Sequence, residues 1–282
     1  MDFSFTSEQD DLRREARAFL EANPSPSMEQ LAELGWVGIL QGDDFTFLDA
    51  AVLFEELGRA LYEGPFALNE VAGQPGGDVW SIEIDGFVPH LDKVSRVLTP
   101  DMRGAKAQGD TLATVDETLG LGRLSQNGAE AAQGEWVDVR RRLLAALALE
   151  AVGIGSKAIE LALAYASERE QFGKKIGSYQ AISHSLVDGY VAVELSRSLA
   201  YWAAWSVAEN DEQVDLAVAA AKSQASEAAV LACEKSIQVL GGVGFTWEHP
   251  LHRYYKRALW LEGALGYGRE HRAEVAEYLL GS

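Results

Sequence analysis

The sequence predicts a mainly α protein with a helical N-terminal region over residues 1–63, a reduced β and loop region over 64–136, and a C-terminal four-helix bundle over 137–282. Three observations carry this. Small and apolar residues step by four and three through Leu144, Ala148, Ala151, Gly155, Ala158, Ala162 and Tyr165, which keeps one helix face on a bundle seam. Thr6 and Gln9 form a capping-box pair ahead of Leu12, Ala16, Phe19 and Leu20, a helix start signal followed by a 3.6-residue period. Between Gly64 and Gln133 the texture changes to Gly, Pro, Asp and Thr, which favours turns over long elements.

Taken in order, the first region is helical from Thr6 to about Tyr62, with Leu53, Leu57, Ala60 and Leu61 repeating the spacing. In the middle region, β-compatible runs are short: Trp80 to Ile84, Ser95 to Leu98 and Thr111 to Val115. From about Val137 a long helix carries the seam above. A second, Ser183 to Glu209, turns Leu186, Tyr190, Val193, Ala200, Ala204 and Val207 inward, and a third does so with Val214, Val218, Ala221, Ala225, Ala229 and Ala232. Small residues on that third seam imply close helix approach. A last helix, about Gly266 to Leu280, completes an antiparallel bundle.

Charge narrows the function classes. With 24 Lys and Arg against 43 Asp and Glu, the formal charge is -19, so phosphate backbones and anionic membranes are repelled and nucleic acid is excluded as a partner. The one cysteine, Cys233, gives neither a disulfide framework nor a Cys-based metal cluster, and no His, Asp or Glu group has metal-site spacing. Every long apolar stretch is broken by a charged residue. Neither a signal peptide nor a membrane span is expected, and a reducing cytoplasm fits.

Two segments carry chemistry. In ASEREQFGKKIGSYQAI, Ala166 to Ile182, Arg169 can fork onto a pyrophosphate, Phe172 offers a flat face, and Gly173 and Gly177 admit close backbone approach. The plainer alternative is a helix C-terminus capped by basic residues and ended by glycine. In IQVLGGVGFTWEHP, Ile237 to Pro250, Gly241, Gly242 and Gly244 expose N–H groups that can form an anion nest, with Gln238 beside them. The segment lacks the GxGxxG order of a Rossmann site and the Lys-Ser/Thr of a P-loop.

Together, RxQFGxxIxxxQAI and QxLGGxGFTxExP resemble the acyl-CoA dehydrogenase family, strongly from Gly153 to Pro250 and more loosely through LAELGWVGIL and LFEELGRALYEGPF. The resemblance implies oxidation of an acyl-CoA thioester between Cα and Cβ. A carboxylate takes the α-proton and the β-hydrogen leaves as hydride to flavin N5, chemistry that needs a dry pocket. It also implies that Arg169, Gln171 and Phe172, together with Gln238, Gly241 and Gly242, contact the pyrophosphate and adenosine half of FAD in a neighbouring subunit.

The sequence departs from the family pattern in three places. The middle region looks truncated for holding an isoalloxazine ring. The nearest match to the family's Glu-Gly base is Glu262-Gly263, but the spacer from Phe245 is short, and Ala264 and Gly266 stand where Thr and Gln are expected. Glu262 is therefore either the catalytic base or a carboxylate at a helix N-terminus. Leu144 occupies a position where the family often has Arg; Arg140, Arg141 and Arg142 just upstream either substitute or form a solvated basic run. His184 reads as a packed polar side chain.

This combination resembles the short subunit of bacterial heteromeric acyl-CoA dehydrogenases, α2β2 heterotetramers in which dissimilar chains share each flavin site. The resemblance implies a longer partner subunit and a possible steroid side-chain CoA ester as substrate. Two alternatives stay open: a non-catalytic structural partner, and a flavin oxidase or monooxygenase of the same fold.

Overall fold

A computed structural model describes residues 5–42, 44–126 and 128–281. Helix α1 (Ser7–Ala22) opens on the expected capping box: the Thr6 hydroxyl accepts the Gln9 N–H, and the Gln9 amide oxygen accepts the Thr6 N–H, both at 3.2 Å. Helix α2 (Met28–Glu33) uses Ser27 and Gln30 in the same way. Helix α3 (Phe47–Arg59) is buried along most of its length, and α4 (Phe66–Ala72) follows it. The sequence reading does not resolve α2 and α4. At 6 and 7 residues, neither is long enough for a helical period to repeat.

The middle region is built from short strands: β1 (Trp80–Ile82), β2 (Arg96–Thr99), β3 (Arg103–Lys106), β4 (Gly109–Thr111), β5 (Gly122–Leu124) and β6 (Glu130–Ala131). Four of them form a sheet ordered β1-β2-β3-β6, with β1 parallel to β2 and Leu98 of β2 opposite Gly104 of β3, while β4 pairs only with β5. The expected runs at Trp80 and Ser95 are present in shortened form. The run from Thr111 is not: only Thr111 is in a strand, and Thr114 to Asp116 turn away as the Thr114 hydroxyl donates to the Asp116 carbonyl at 2.7 Å.

The bundle contains α5 (Trp136–Glu168), a hairpin of β7 (Glu170–Gln171) and β8 (Lys174–Lys175), then α6 (Gln180–Ala208), α7 (Val214–Leu240), α8 (Leu251–Gly263) and α9 (Gly268–Leu280). Helix α8 occupies the stretch that the sequence presents as a spacer between Phe245 and Glu262. Its buried Leu251, Tyr254, Ala258 and Leu261 follow helical spacing and were the available signal. The fourth bundle position is thus shared by two shorter helices, α8 and α9, both packed on α7. Tyr190, expected to face inward, is half exposed on α6.

One apolar core runs from α1 through α3 and α4 into α5, α6, α7 and α8; a small second cluster of Val88, Leu91, Val97 and Ala105 sits under the strands. Helices α3 and α5 cross backbone on backbone. A Cβ at Gly58 would collide with the Glu150 carbonyl, and one at Gly153 with the Glu55 carbonyl. Segment 214–245 is long and apolar enough to cross a membrane by length and composition; its Ala217, Ala221, Ala225, Ala229 and Ala232 are buried where α7 packs on α5 and α6.

Candidate functional site

The two motif segments lie at one end of the bundle. A Cβ on Gly155 of α5 would meet Val193 of α6 and Ala229 and Ala232 of α7, and Gly189 of α6 faces Ile159 and Ala232. From that shared level, α5 and α7 each continue for roughly 12–20 Å at about 1.5 Å per residue before they end. The Arg169 hairpin and the Gly241 loop therefore emerge side by side.

Arg169 caps α5, its N–H bonded to the Tyr165 carbonyl at 2.9 Å, and its side chain is exposed. The hairpin turns at Phe172 (φ 52) and Gly173 (φ 78), a left-handed pair that suits glycine and strains phenylalanine. Phe172 is 93% exposed. A large ring held in strained backbone and pushed into water costs free energy that the isolated chain does not recover. Gln171 is exposed as well, and its carbonyl accepts the Tyr179 hydroxyl at 3.0 Å.

Helix α7 ends at Gly241 (φ 64), where residues 241–245 wind into a 3-10 turn. Gln238, Gly241 and Gly242 are exposed, and a Cβ on either glycine would meet no atom within 4 Å. Nothing among the described residues stands over either glycine, so a ligand can approach the backbone there. The expected nest is reduced, because the Gly241 N–H is bonded to the Ile237 carbonyl as the cap of α7; a guanidinium, two side-chain amides and exposed glycine backbone remain, a set that fits the pyrophosphate tail of a dinucleotide.

The interior of the chain offers much less room. Between α3, α4, α5, α8 and the β region lies a cavity of about 30 Å³, lined by Tyr62, His90, Leu119, Glu150, Arg257 and Trp260 among others. That holds about two waters. Arg257 fills the space beside it: Nε donates to Asp116 Oδ2 at 2.9 Å, Nη1 to Glu150 Oε1 at 2.5 Å and Nη2 to the Thr118 hydroxyl at 2.6 Å. Burial, with Arg257 and Lys93 nearby, holds the His90 imidazole well below its ordinary pKa, so it is neutral. Its Nδ1 has no hydrogen-bond partner among the described residues.

Glu262 is not among the residues lining that cavity. It sits in the last turn of α8, so the helix N-terminal alternative is corrected: the dipole there disfavours a carboxylate. Burial first, then Glu227, pushes its carboxyl up, while Lys222 opposes them. The turn after it is held from both sides. Lys222 Nζ, buried in α7, donates to the Leu261 carbonyl at 2.8 Å, and Asp85 Oδ2 accepts the Leu265 N–H at 2.8 Å. Both Leu265 (φ 60) and Asp85 (φ 52) adopt left-handed backbone.

Leu144 is fully buried. Upstream, Arg141 forks onto Asp215 with two 2.7 Å bonds and Arg140 pairs with Glu274 at 2.8 Å, so these side chains serve surface ion pairs. His184 is exposed rather than packed. Cys233 is buried, and burial pushes its thiol up, so it is unreactive. No group of three His, Cys, Asp or Glu among the described residues could hold a metal. Glu150, Asp116, Arg257 and Lys222 escape the sequence reading; the buried face of α8 was the one signal for Arg257.

Residues 127–280, more than half of the chain, match the family model for the C-terminal domain of acyl-CoA dehydrogenases. Acyl-CoA dehydrogenase IpdE2 of Mycobacterium tuberculosis is 31% identical over 236 residues, covering 74% of this chain and 71% of that protein. Among solved structures, the ChsE4-ChsE5 complex from Mycobacterium tuberculosis superposes with a TM-score of 0.86 at 23% identity, covering 100% of both chains. A variant of the Tcur3481-Tcur3483 steroid ACAD gives 0.86 at 21% identity over 97% of this chain and 98% of that one. The motif segments, their placement at one bundle end and these matches agree, and the chain belongs to the acyl-CoA dehydrogenase family.

Proposed function

We propose that this chain is a subunit of an FAD-dependent acyl-CoA dehydrogenase that introduces an α,β double bond into an acyl-CoA thioester. It contributes half of a shared site, gripping the pyrophosphate and adenosine of FAD whose ring is held by a longer, dissimilar subunit. One observation carries this reading: Arg169, Gln171, Phe172, Gln238, Gly241 and Gly242 all stand exposed at one end of the bundle, while the cavity beside the buried Arg257 ion cluster is only about 30 Å³. The residues gather where a second chain can cover them.

Bound FAD supplies the hydride acceptor. This chain's residues neutralise its tail: the Arg169 guanidinium and the exposed Gly242 backbone counter the pyrophosphate charge, which the surface of a chain of net charge -19 would otherwise repel, while Gly241, whose N–H is bonded to the Ile237 carbonyl, lets the tail approach closely. Phe172 and Gln238 contact the adenosine. The three segments 1–63, 64–136 and 137–282 divide this work, the last carrying the grip. The separation of Glu262 from the cavity favours a base supplied by the partner.

Assembly as an α2β2 heterotetramer draws support from the ChsE4-ChsE5 and Tcur3481-Tcur3483 neighbours, each named as two components. The steroid ACAD neighbour extends the substrate class to CoA esters of steroid side chains. We place the enzyme in the cytoplasm, where Cys233, its only cysteine, stays reduced.

The test is absorbance. The chain purified alone should be colourless, and co-purified with its longer partner it should show flavin bands and acyl-CoA-dependent dye reduction. Stoichiometric FAD and turnover in the chain alone would overturn the shared site.

A further inference from the structure

Helix α9 is fastened to the bundle by a titratable anchor. Of its described residues only Gly268 and His271 are buried, so the imidazole is its one buried side chain. The far end packs on little: Tyr278 is half exposed, and Leu279 and Leu280 are largely exposed. A helix of 13 residues is marginal without tertiary packing. The docking of α9 therefore concentrates in its first turn, on a group whose ordinary titration lies near neutral pH.

That turn is surrounded by charge. The His271 side chain is 1% exposed, and neither Nδ1 nor Nε2 has a hydrogen-bond partner among the described residues. From α7, Lys222 Nζ lies 2.8 Å from the Leu261 carbonyl and 3.5 Å from the Gly266 carbonyl, the Ser223 hydroxyl donates to the Gly268 carbonyl at 3.1 Å, and Glu227 pairs with Arg272 of α9 at 2.6 Å. Glu262 of α8 and Asp85 of the β region face Lys222, and Arg140 of α5 faces the ring. Within α9, Glu270 accepts the Tyr267 N–H at 3.0 Å. Glu274 Oε1 lies 3.7 Å from Nδ1 but is already bonded to Arg140 at 2.8 Å.

These surroundings resist a charge on the ring. Burial, then Lys222, holds the imidazole below its ordinary pKa; Glu274 opposes them, Arg140 adds to them, and the Gly266 carbonyl opposes. A protonated His271 would be a second buried cation beside the Lys222 ammonium. The turn ahead of the helix is also strained: Leu265 (φ 60) is held in left-handed backbone while its N–H is bonded to Asp85 at 2.8 Å.

We propose that α9 is a proton-released terminal helix, in which protonation of His271 drives its first turn off α7 and frees the helix at the Leu265–Gly266 turn. This release does not depend on how the flavin site is shared. The neutral ring belongs to the docked helix and the charged ring to the released one. Below pH 6.5, the ordinary histidine value, the released state takes up a proton that the docked state resists, so release grows as pH falls and is absent well above that value. Lys222, with its pKa pushed down to about 8, stays charged throughout. Glu262, whose carboxyl burial pushes up, opposes release as it takes up its own proton in more acid solution.

The experiment is hydrogen exchange on the full chain, corrected for the intrinsic effect of pH, comparing wild type with His271→Leu from about pH 7.5 to about pH 5.5. In wild type the opening equilibrium of residues 268–280 should rise by up to about tenfold per pH unit below 6.5, while α5 and α7 keep their protection. His271→Leu keeps an apolar anchor without the proton, so its α9 should show no such response. The His271 ring, followed by NMR in wild type, should titrate below 6.5, and this measurement decides if the variant fails to fold.

Flat α9 protection in wild type overturns the release. An equal response in His271→Leu assigns it to another group and overturns it as well, as does a ring that titrates at or above 6.5. Protection lost at once in α9, α5 and the strands means global unfolding through His90, His249 or His252, whose imidazoles burial also holds low, and removes the local release.

Discussion

Arg257 Nε donates to Asp116 Oδ2 at 2.9 Å, a buried ion pair that fastens the helix leading to Glu262 onto a loop of the β region. The same guanidinium reaches Glu150 on α5, so one side chain joins three parts of the chain and occupies space next to the interior cavity. Two carboxylates share this cation, and both lose their compensation if it is removed.

Arg257→Met should therefore cost about 3–5 kcal/mol, the range for stripping one partner from a buried pair. Chemical denaturation of wild type and variant would measure it. Combining Arg257→Met with Asp116→Asn and Glu150→Gln in one triple variant should recover a large part of the loss, since no uncompensated charge remains. Equal stability of the single and triple variants would mean that the charges are not what the arginine compensates.

Lys222 gives a pH signature. Its ammonium is surrounded by carbonyl oxygens, and burial pushes its pKa down to about 8 from 10.5, with Glu262 and Asp85 pulling the other way. The folded chain binds this proton less tightly than the unfolded chain. Between about pH 8 and 10.5, then, unfolding takes up a proton and stability rises with pH, while below 8 the penalty is fully present. Measured against Lys222→Met, wild type should gain about 3 kcal/mol across that window. Comparing the two cancels the Tyr62 and Tyr254 phenols, which burial pushes up to about 12 and which withdraw stability above pH 10.

Two glycines separate folding from binding. Gly153→Ala drives a methyl into the α3 backbone and should destabilise by at least about 1–3 kcal/mol, because backbone cannot rotate away. Gly242→Ala meets open space and should leave the melting temperature within about 2 °C of wild type. Its effect belongs in the assembled complex, as a drop of about tenfold in FAD affinity. Thermal melts and flavin titration check both.

Glu262→Gln tests where the base resides. With Glu262 in the last turn of α8 and away from the cavity lining, turnover of the complex should stay within about twofold of wild type. A fall of about a hundredfold or more in kcat, with KM unchanged, would restore Glu262 as the base.

Local periodicity and capping chemistry made the long helices legible in the sequence. The α5 seam and the Thr6 box depend only on near neighbours in the chain, and the two motif segments identify the residues proposed to grip the dinucleotide. What the tertiary structure decided depends on distant partners. The α8 helix, whose pattern is hidden by the preceding glycine loop, is stabilised by packing on α7. Tyr190 has apolar spacing but is only half covered, at the edge of a groove it lines with Leu163, Leu186 and Val187. The Asp116, Glu150 and Arg257 cluster joins residues more than a hundred positions apart, and each alone reads as an ordinary surface charge. Only their meeting in a low-dielectric interior makes them a buried ion cluster, while the residues proposed to grip the dinucleotide stand exposed at the bundle end.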